Sequence, residues 1–199
     1  PASFDEGRKG GKSKTLEGVE IDSVRGMKVH VGNPIRAMLA ERLSSPEELL
    51  ERLGGKAIFE YKYDGLRIQA HISDSGIKLY SRRLEDMTEQ FPDVAKALRE
   101  AFTGVDAIVE GECVPIDINT GEFLPFQEVS HRRGRKHDLS EAIEDYPVRF
   151  HLFDCLYFDG EDLTLKPLPQ RRETLSKCVK ITPSVKLSEA KVLQTVKFL

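Results

Sequence analysis

Hydrophobic residues recur along the chain at two spacings, and the switches between them lay out most of its elements. From Leu66 to Ile72, apolar side chains take every second position (Leu66, Ile68, Ala70, Ile72), with Arg67, Gln69 and His71 between them. That period of two predicts a strand with one apolar and one polar face. Ile77–Arg82 alternates as well and groups Lys78, Tyr80 and Arg82, while Ala57–Tyr61 is a short apolar run. Asp64-Gly65 and Ser75-Gly76 are the expected hairpin turns between these three strands. Val105–Val114 and Val148–Tyr157 predict two longer strands, and Met27–Val31 a short one. Helical spacing takes over after Pro92, where Val94, Leu98, Ala101 and Phe102 recur before Gly104. Ser45-Pro46-Glu47-Glu48 supplies an N-cap serine, a first-turn proline and a capping-box glutamate. It predicts a helix that buries Leu49, Leu50 and Leu53 and ends at Gly54-Gly55. Leu168–Cys178 and Ser188–Leu199 read as two further helices. Strands in hairpins, interspersed helices and no regular βαβ alternation predict an α+β fold of largely antiparallel sheets flanked by helices.

Order is expected to begin near Pro34. Residues 1–33 hold six glycines among lysines without sustained periodicity, and read as a linker or the tail of a preceding domain. Gly7-Arg8-Lys9-Gly10-Gly11-Lys12-Ser13 approaches a phosphate-binding loop. It has three residues where that pattern needs four, and no strand precedes it, so a basic linker is the better reading.

Composition narrows the classes. A chain of 199 residues fits one medium domain, large enough to bury a core without disulfides. Cys113, Cys155 and Cys178 form no CxxC pair, which argues against a zinc site and for a reducing intracellular compartment. No run of about 20 apolar residues exists to span a membrane, and the polar, lysine-rich start is not a signal peptide. The net charge of −3 does not advertise a nucleic-acid binder, so local clusters matter more than the sum. Only two asparagines and five glutamines accompany 32% charged residues, the compositional lean of hyperthermophile proteins.

Candidate chemistry centres on Glu60-Tyr61-Lys62-Tyr63-Asp64-Gly65-Leu66-Arg67. Side chains two apart on a strand share a face, so Glu60 and Lys62 could hold two parts of one ligand, with Arg67 returning a cation beyond the turn. An amine so placed can act as a covalent nucleophile when charge nearby is neutralised. The pattern alone is equally served by an ordinary hairpin with exposed charges, and Asp64 by a pure turn role. Glu110 and Glu112 also share a face, and like charges that close are costly unless a cation or donor joins them. By pattern alone Phe153 is a core residue. The basic run His131-Arg132-Arg133-Gly134-Arg135-Lys136-His137 suits a solvated loop or a contact with DNA phosphates. The histidines lack metal-ligand spacing.

Four segments in order change this balance. The Lys62 run resembles the nucleotidyl-lysine motif of the covalent nucleotidyltransferases, which include DNA ligases, RNA ligases and mRNA capping enzymes. Tyr80-Ser81-Arg82-Arg83-Leu84-Glu85-Asp86 resembles the Ser-Arg segment, and Ile108-Val109-Glu110-Gly111-Glu112-Cys113-Val114 the acidic strand. Phe150–Glu161 resembles the aromatic-Asp strand. Gly32–Ala40, Phe123–Gln127 and Arg132–Lys136 echo the archaeal and eukaryotic ATP-dependent DNA ligases in particular. The resemblance runs from about residue 32 to 176. It implies the nucleotidyltransferase (ATP-grasp-like) adenylation domain of DNA ligases, with residues 1–33 as the linker or tail of a DNA-binding domain and 34–199 as the N-terminal and central part of the adenylation domain.

By that resemblance, Lys62 is the nucleophile that takes AMP from ATP, and Glu60 accepts the adenine amino group. Arg67 meets the ribose or sugar-phosphate edge, Arg82 a phosphate, and Phe153 the adenine face. Glu112 binds the ribose hydroxyls or helps hold Mg2+ or Mn2+. The implied partners are nicked double-stranded DNA and, for the full-length enzyme, a sliding clamp, in replication, repair and recombination; the implied location is the cytoplasm of an archaeal cell. Glu110 stands where the family usually has aspartate, and Arg83 where it often has asparagine. The later motifs and the OB domain are expected beyond Leu199. Two other readings remain open at this point: an RNA ligase or capping-type enzyme, and a non-catalytic nucleotide- or DNA-binding module.

Overall fold

The computed structural model describes residues 28–132 and 143–194. Its largest unit is a six-stranded sheet built from β2 (Leu66–Ser73), β3 (Gly76–Ser81), β4 (Ala107–Pro115), β5 (Val148–Phe158), β6 (Glu161–Asp162) and β7 (Val185–Leu187). The order is β3-β2-β4-β5-β6, all antiparallel, with β7 pairing in parallel with β5. A second, two-stranded sheet joins β1 (Ala57–Glu60) to β8 (Ala190–Leu193). The α+β architecture with mainly antiparallel sheets is as expected.

The alternation in β2 decides which face is which. Ile68, Ala70 and Ile72 are buried on the core side with Val109, Phe150 and Leu152. Helix α2 (Pro92–Ala101) lays Val94, Leu98 and Ala101 into the same core, as its helical spacing predicts. Helix α4 (Leu168–Cys178) adds Leu175, and its contacts go mainly to β5. Apart from the alanines, each of these buried side chains stabilises the fold by roughly 1.5–3 kcal/mol. The opposite face pairs Arg67 with Glu112 and Gln69 with Glu110, and then Glu112 with His151.

Several expectations are corrected. The helix expected over Ser188–Leu199 is not formed by its described part: Ala190–Leu193 forms β8, because pairing with β1 satisfies its backbone and overrides local propensity, and residues 195–199 lie outside the described residues. Consequently β1 does not make a hairpin with β2, and Asp64-Gly65 is a link between two sheets. Ser75-Gly76 does close the β2–β3 hairpin. Residues 28–31 form no strand, since side chains of β2 rather than a neighbouring strand hold the backbone that follows. Helix α1 (Pro46–Arg52) has its Ser45 cap on Glu48 N, but it buries only Leu50, while Leu53 is 58% exposed. The loop-like sequence at Gly7–Ser13 lies outside the described residues.

Candidate active site

Lys62 sits in the five-residue link between the two sheets. That link is pinned on both sides. Tyr63 stacks on His151 with ring centroids 4.3 Å apart, meets the edge of Phe123, and accepts the Glu189 N–H at its hydroxyl. Asp64 accepts the backbone N–H of Phe126 at the start of the short helix α3 (Phe126–Ser130), so it is more than a turn residue. Gly65 lies so close to β4 that a Cβ would be 2.4 Å from the Cys113 carbonyl oxygen. Held this way, the exposed Lys62 side chain opens onto a groove of about 780 Å³.

Glu60, Arg67, Arg82, Glu112 and Phe153 line that same groove, so the structure brings all six sequence-predicted residues together. They come from β1, the link, β2, the turn after β3, β4 and β5. Glu112 accepts the Gly65 N–H; burial raises its pKa, and the charges of Lys62 and Arg67 oppose that rise. Glu110, its neighbour on the strand, faces two protein donors instead: Arg67 Nη2 and Gln69 Nε2. The cation that excuses this like-charge pair is therefore Arg67, which also lies 5.3 Å from the Phe153 ring centroid.

Phe153 shares its face of β5 with Asp154 through an irregularity. In the β4–β5 register, Glu110 pairs with Asp154 and Gly111 with Leu152, leaving Phe153 without a partner in β4. This bulge breaks the pleat, so Phe153 and Asp154 both leave the core side that holds Leu152 and Cys155. Alternation from Phe150 and Leu152 puts Phe153 on the groove face, but it could not show that Asp154 joins it there.

Other functional residues were also beyond sequence reasoning. Gln69 holds the backbone of Ile35 with both ends of its amide (2.7 and 3.0 Å), and His71 Nδ1 accepts the Gly32 N–H at 2.9 Å. Those partners fix a neutral His71 ring protonated at Nε2, consistent with a pKa lowered to about 4 by burial. Together they dock residues 32–35 so that Met38 and Leu39, 92% and 82% exposed, border the groove. Arg171 grips Asp154 with two bonds of 2.7 and 2.8 Å, and Arg172 contacts Glu60. The signal was only a pair of arginines in a predicted helix. Arg132, read as part of a basic loop, is fully buried against Asp93 and the Phe91 ring; residues 133–137 lie outside the described residues.

A family profile described as the ATP dependent DNA ligase domain matches residues 37–199. The chain belongs to that family. This ligase domain is 54% identical over 169 residues to a DNA ligase of Caldivirga maquilingensis, covering 84% of this chain and 28% of that protein. It is 51% identical over 177 residues to a DNA ligase of Sulfophobococcus zilligii (89% and 29%) and 46% over 187 residues to that of Sulfolobus acidocaldarius (94% and 31%). The chain thus spans under a third of the length of these relatives. Among solved structures, mycobacterial DNA ligase D complexed with ATP and MES superposes with a TM-score of 0.50 at 28% identity, covering 68% of this chain and 40% of that one. The ligase domain has no helix among the described residues long and apolar enough to cross a membrane.

Proposed function

We propose that this chain is the nucleotide-binding part of the adenylation domain of an ATP-dependent DNA ligase, and that Lys62 is its covalent nucleophile. The observation that carries the reading is the convergence of Glu60, Lys62, Arg67, Arg82, Glu112 and Phe153 on one groove from separate segments. Residues 34–199 supply the N-terminal and central part of that domain, with 1–33 as a linker or tail.

In the first step the Lys62 Nζ lone pair attacks the α-phosphorus of ATP. A nitrogen–phosphorus bond forms, the bond to the bridging oxygen breaks, pyrophosphate leaves, and the amine gives up its proton to solvent. AMP then passes to the 5′-phosphate of a nick, and the 3′-hydroxyl expels it as the backbone is sealed. Phe153 offers a stacking face for the base and Glu60 an acceptor for its amino group. Arg67 lies beside the sugar, and Arg82 offers a forked donor to a phosphate. Most of the acceleration comes from holding the phosphorus in line and offsetting its charge.

A divalent ion, Mg2+ or Mn2+, fits the donor set only as one shared with the nucleotide. The described residues contain no cluster of three metal-ligating side chains, but Glu112 offers a carboxylate beside Lys62. Such ions bind through one or two carboxylates plus substrate phosphates, and the ion would supply charge neutralisation there. Nicked duplex DNA is the proposed substrate and a sliding clamp the proposed partner of the full-length protein. The three free cysteines suit an intracellular setting.

The test is intact and peptide mass spectrometry of the full-length protein after incubation with ATP and magnesium, beside a Lys62→Ala control. A single AMP adduct on the Lys62 peptide, absent from the control, is expected. An adduct on another residue, or none at all, overturns the assignment.

A further inference from the structure

Arg172, on the groove side of α4, joins three segments that the nucleotide site needs. Its Nη1 donates to Glu60 Oε1, to the Phe153 carbonyl at 3.2 Å and to Ser188 Oγ at 3.0 Å. Its Nη2 donates to the Ser188 carbonyl at 2.9 Å. The guanidinium therefore ties the last residue of β1 to the bulge in β5 and to the link before β8. Its side chain is 17% exposed, so the contacts are sheltered from water.

Glu60 needs such a partner. Burial raises its pKa, the nearby Asp154 carboxylate raises it further, and Arg172 and a hydrogen bond with Ser188 oppose both. Arg171, the preceding residue, neutralises Asp154 through its two-bond grip. Two consecutive arginines on one helix thus serve the two carboxylates at this end of the groove.

The charge state decides what Glu60 can read. An ionised carboxylate only accepts hydrogen bonds, whereas a protonated one also donates. The 6-amino group of adenine is a donor and matches the first. The 6-oxo group of guanine or hypoxanthine is an acceptor, and against a carboxylate it is repelled.

We propose that Arg172 is a specificity-setting positioning residue: it locks Glu60 as an acceptor, aligned with Phe153, so that the groove takes 6-amino purines and rejects 6-oxo purines. The inference rests on the reading of Glu60 as the group that faces the base. It gives Arg172 no contact with the nucleotide; it acts through Glu60 and the Phe153 carbonyl.

The experiment measures single-turnover lysyl-nucleotide formation by the full-length protein with ATP and with inosine triphosphate, whose base carries a 6-oxo group where adenine has the amine. In Arg172→Met, the KM for ATP rises at least about tenfold while the maximal rate stays within about threefold. The ATP preference over inosine triphosphate falls by about tenfold or more, the scale expected when a polar recognition contact is lost. Arg172→Lys, which keeps the charge without the fork, falls between the wild type and Arg172→Met. Because inosine triphosphate serves as an internal reference, a merely unstable variant loses both activities together and keeps the ratio. If Arg172→Met does not fold, the Arg172→Lys ratio decides. Glu60→Gln, whose amide can donate or accept, is expected to bring the preference close to one. If Glu60→Gln keeps the wild-type preference, the reading of Glu60 fails. If Glu60→Gln loses it and both Arg172 variants keep it, the proposal for Arg172 alone is overturned.

Discussion

Replacing Gly65 by alanine should damage catalysis more than stability. The added Cβ would lie 2.4 Å from the Cys113 carbonyl oxygen and 3.0 Å from both the Cys113 carbonyl carbon and Glu112 Cγ. Ordinary contact begins near 3.4 Å, so the link and β4 must part by about 1 Å. The two Cys113 atoms are backbone in a paired strand and cannot rotate away, whereas Glu112 Cγ belongs to a side chain that must shift. Overpacking of this kind costs about 1–3 kcal/mol, an amount a sheet of this size survives. Lys62 lies three residues upstream, however, and Glu112 is itself one of the crowded groups. A displacement of about 1 Å at a reacting group can cost about a hundredfold in rate. The assay is the rate of lysyl-AMP formation in the full-length protein at saturating ATP, paired with a thermal melt. Gly54→Ala is the control: its φ of 76° strains any alanine by about 1–2 kcal/mol, yet no atom lies within 4 Å of the new Cβ. It should lose stability and keep its rate. A Gly65→Ala protein that adenylates at the wild-type rate would refute the argument that this close approach fixes Lys62.

Other outcomes follow from the same geometry. Phe153→Ala should raise the KM for ATP about tenfold, since stacking between a base and an aromatic ring is worth about 1–3 kcal/mol, while Phe153→Tyr should stay near wild type; equal KM values for all three would remove the stacking role. Gln69→Ala strips partners from both the Ile35 backbone and Glu110, and should speed amide exchange at residues 32–35 in hydrogen-exchange mass spectrometry by at least about tenfold, given roughly 1–3 kcal/mol per group left unsatisfied. Breaking the sheltered Arg171–Asp154 pair with Asp154→Asn should destabilise the domain by about 3 kcal/mol, visible as a fall of roughly 6–12 °C in its melting temperature; a shift under about 2 °C would show the pair to be incidental. Burial lowers the pKa values of both His71 and His151 from 6.5 to about 4. As the pH falls the unfolded chain protonates first, so the stability of the two neutral rings is complete above about 6.5 and is lost between 6.5 and 4. Each ring accounts for on the order of 3 kcal/mol. Urea titrations at pH 7 and 4.5 should show that loss, and His71→Gln should reduce it; identical midpoints at the two pH values would contradict the neutral assignment.

The half-buried elements were legible because their patterning carries one face's worth of information. Residues 66–72 announced β2, and the spacing of Val94, Leu98 and Ala101 announced α2. Lys62, Glu112 and Arg82 were legible through ordered motifs, and the structure does gather them in one groove. What could not be read depends on partners far away in the chain. The pairing of β1 was hidden because β8 has a helix-compatible sequence and becomes a strand only against β1. Glu110 was grouped with Glu112 because both point the same way; only the fold shows that Arg67 and Gln69 converge on the first and leave the second beside Lys62. Arg172 lies 112 residues from Glu60, and nothing local to either residue marks the contact.

The unpaired Phe153 has a consequence for how β5 can vary. Upstream of it the strand counts core positions at Phe150 and Leu152; the count resumes at Cys155, one residue out of phase, and a second unpaired residue, Leu156, returns it to the original phase at Phe158. The stretch between the two irregularities thus has a parity of its own, and the first bulge is where it begins. Deleting a single residue at that bulge would restore a regular ladder there, yet only one groove-facing position would remain where two now stand. The strand would then have to give up either the aromatic face of Phe153 or the carboxylate of Asp154 on which α4 is seated. Substitution can tune this strand, but its length is fixed to the residue.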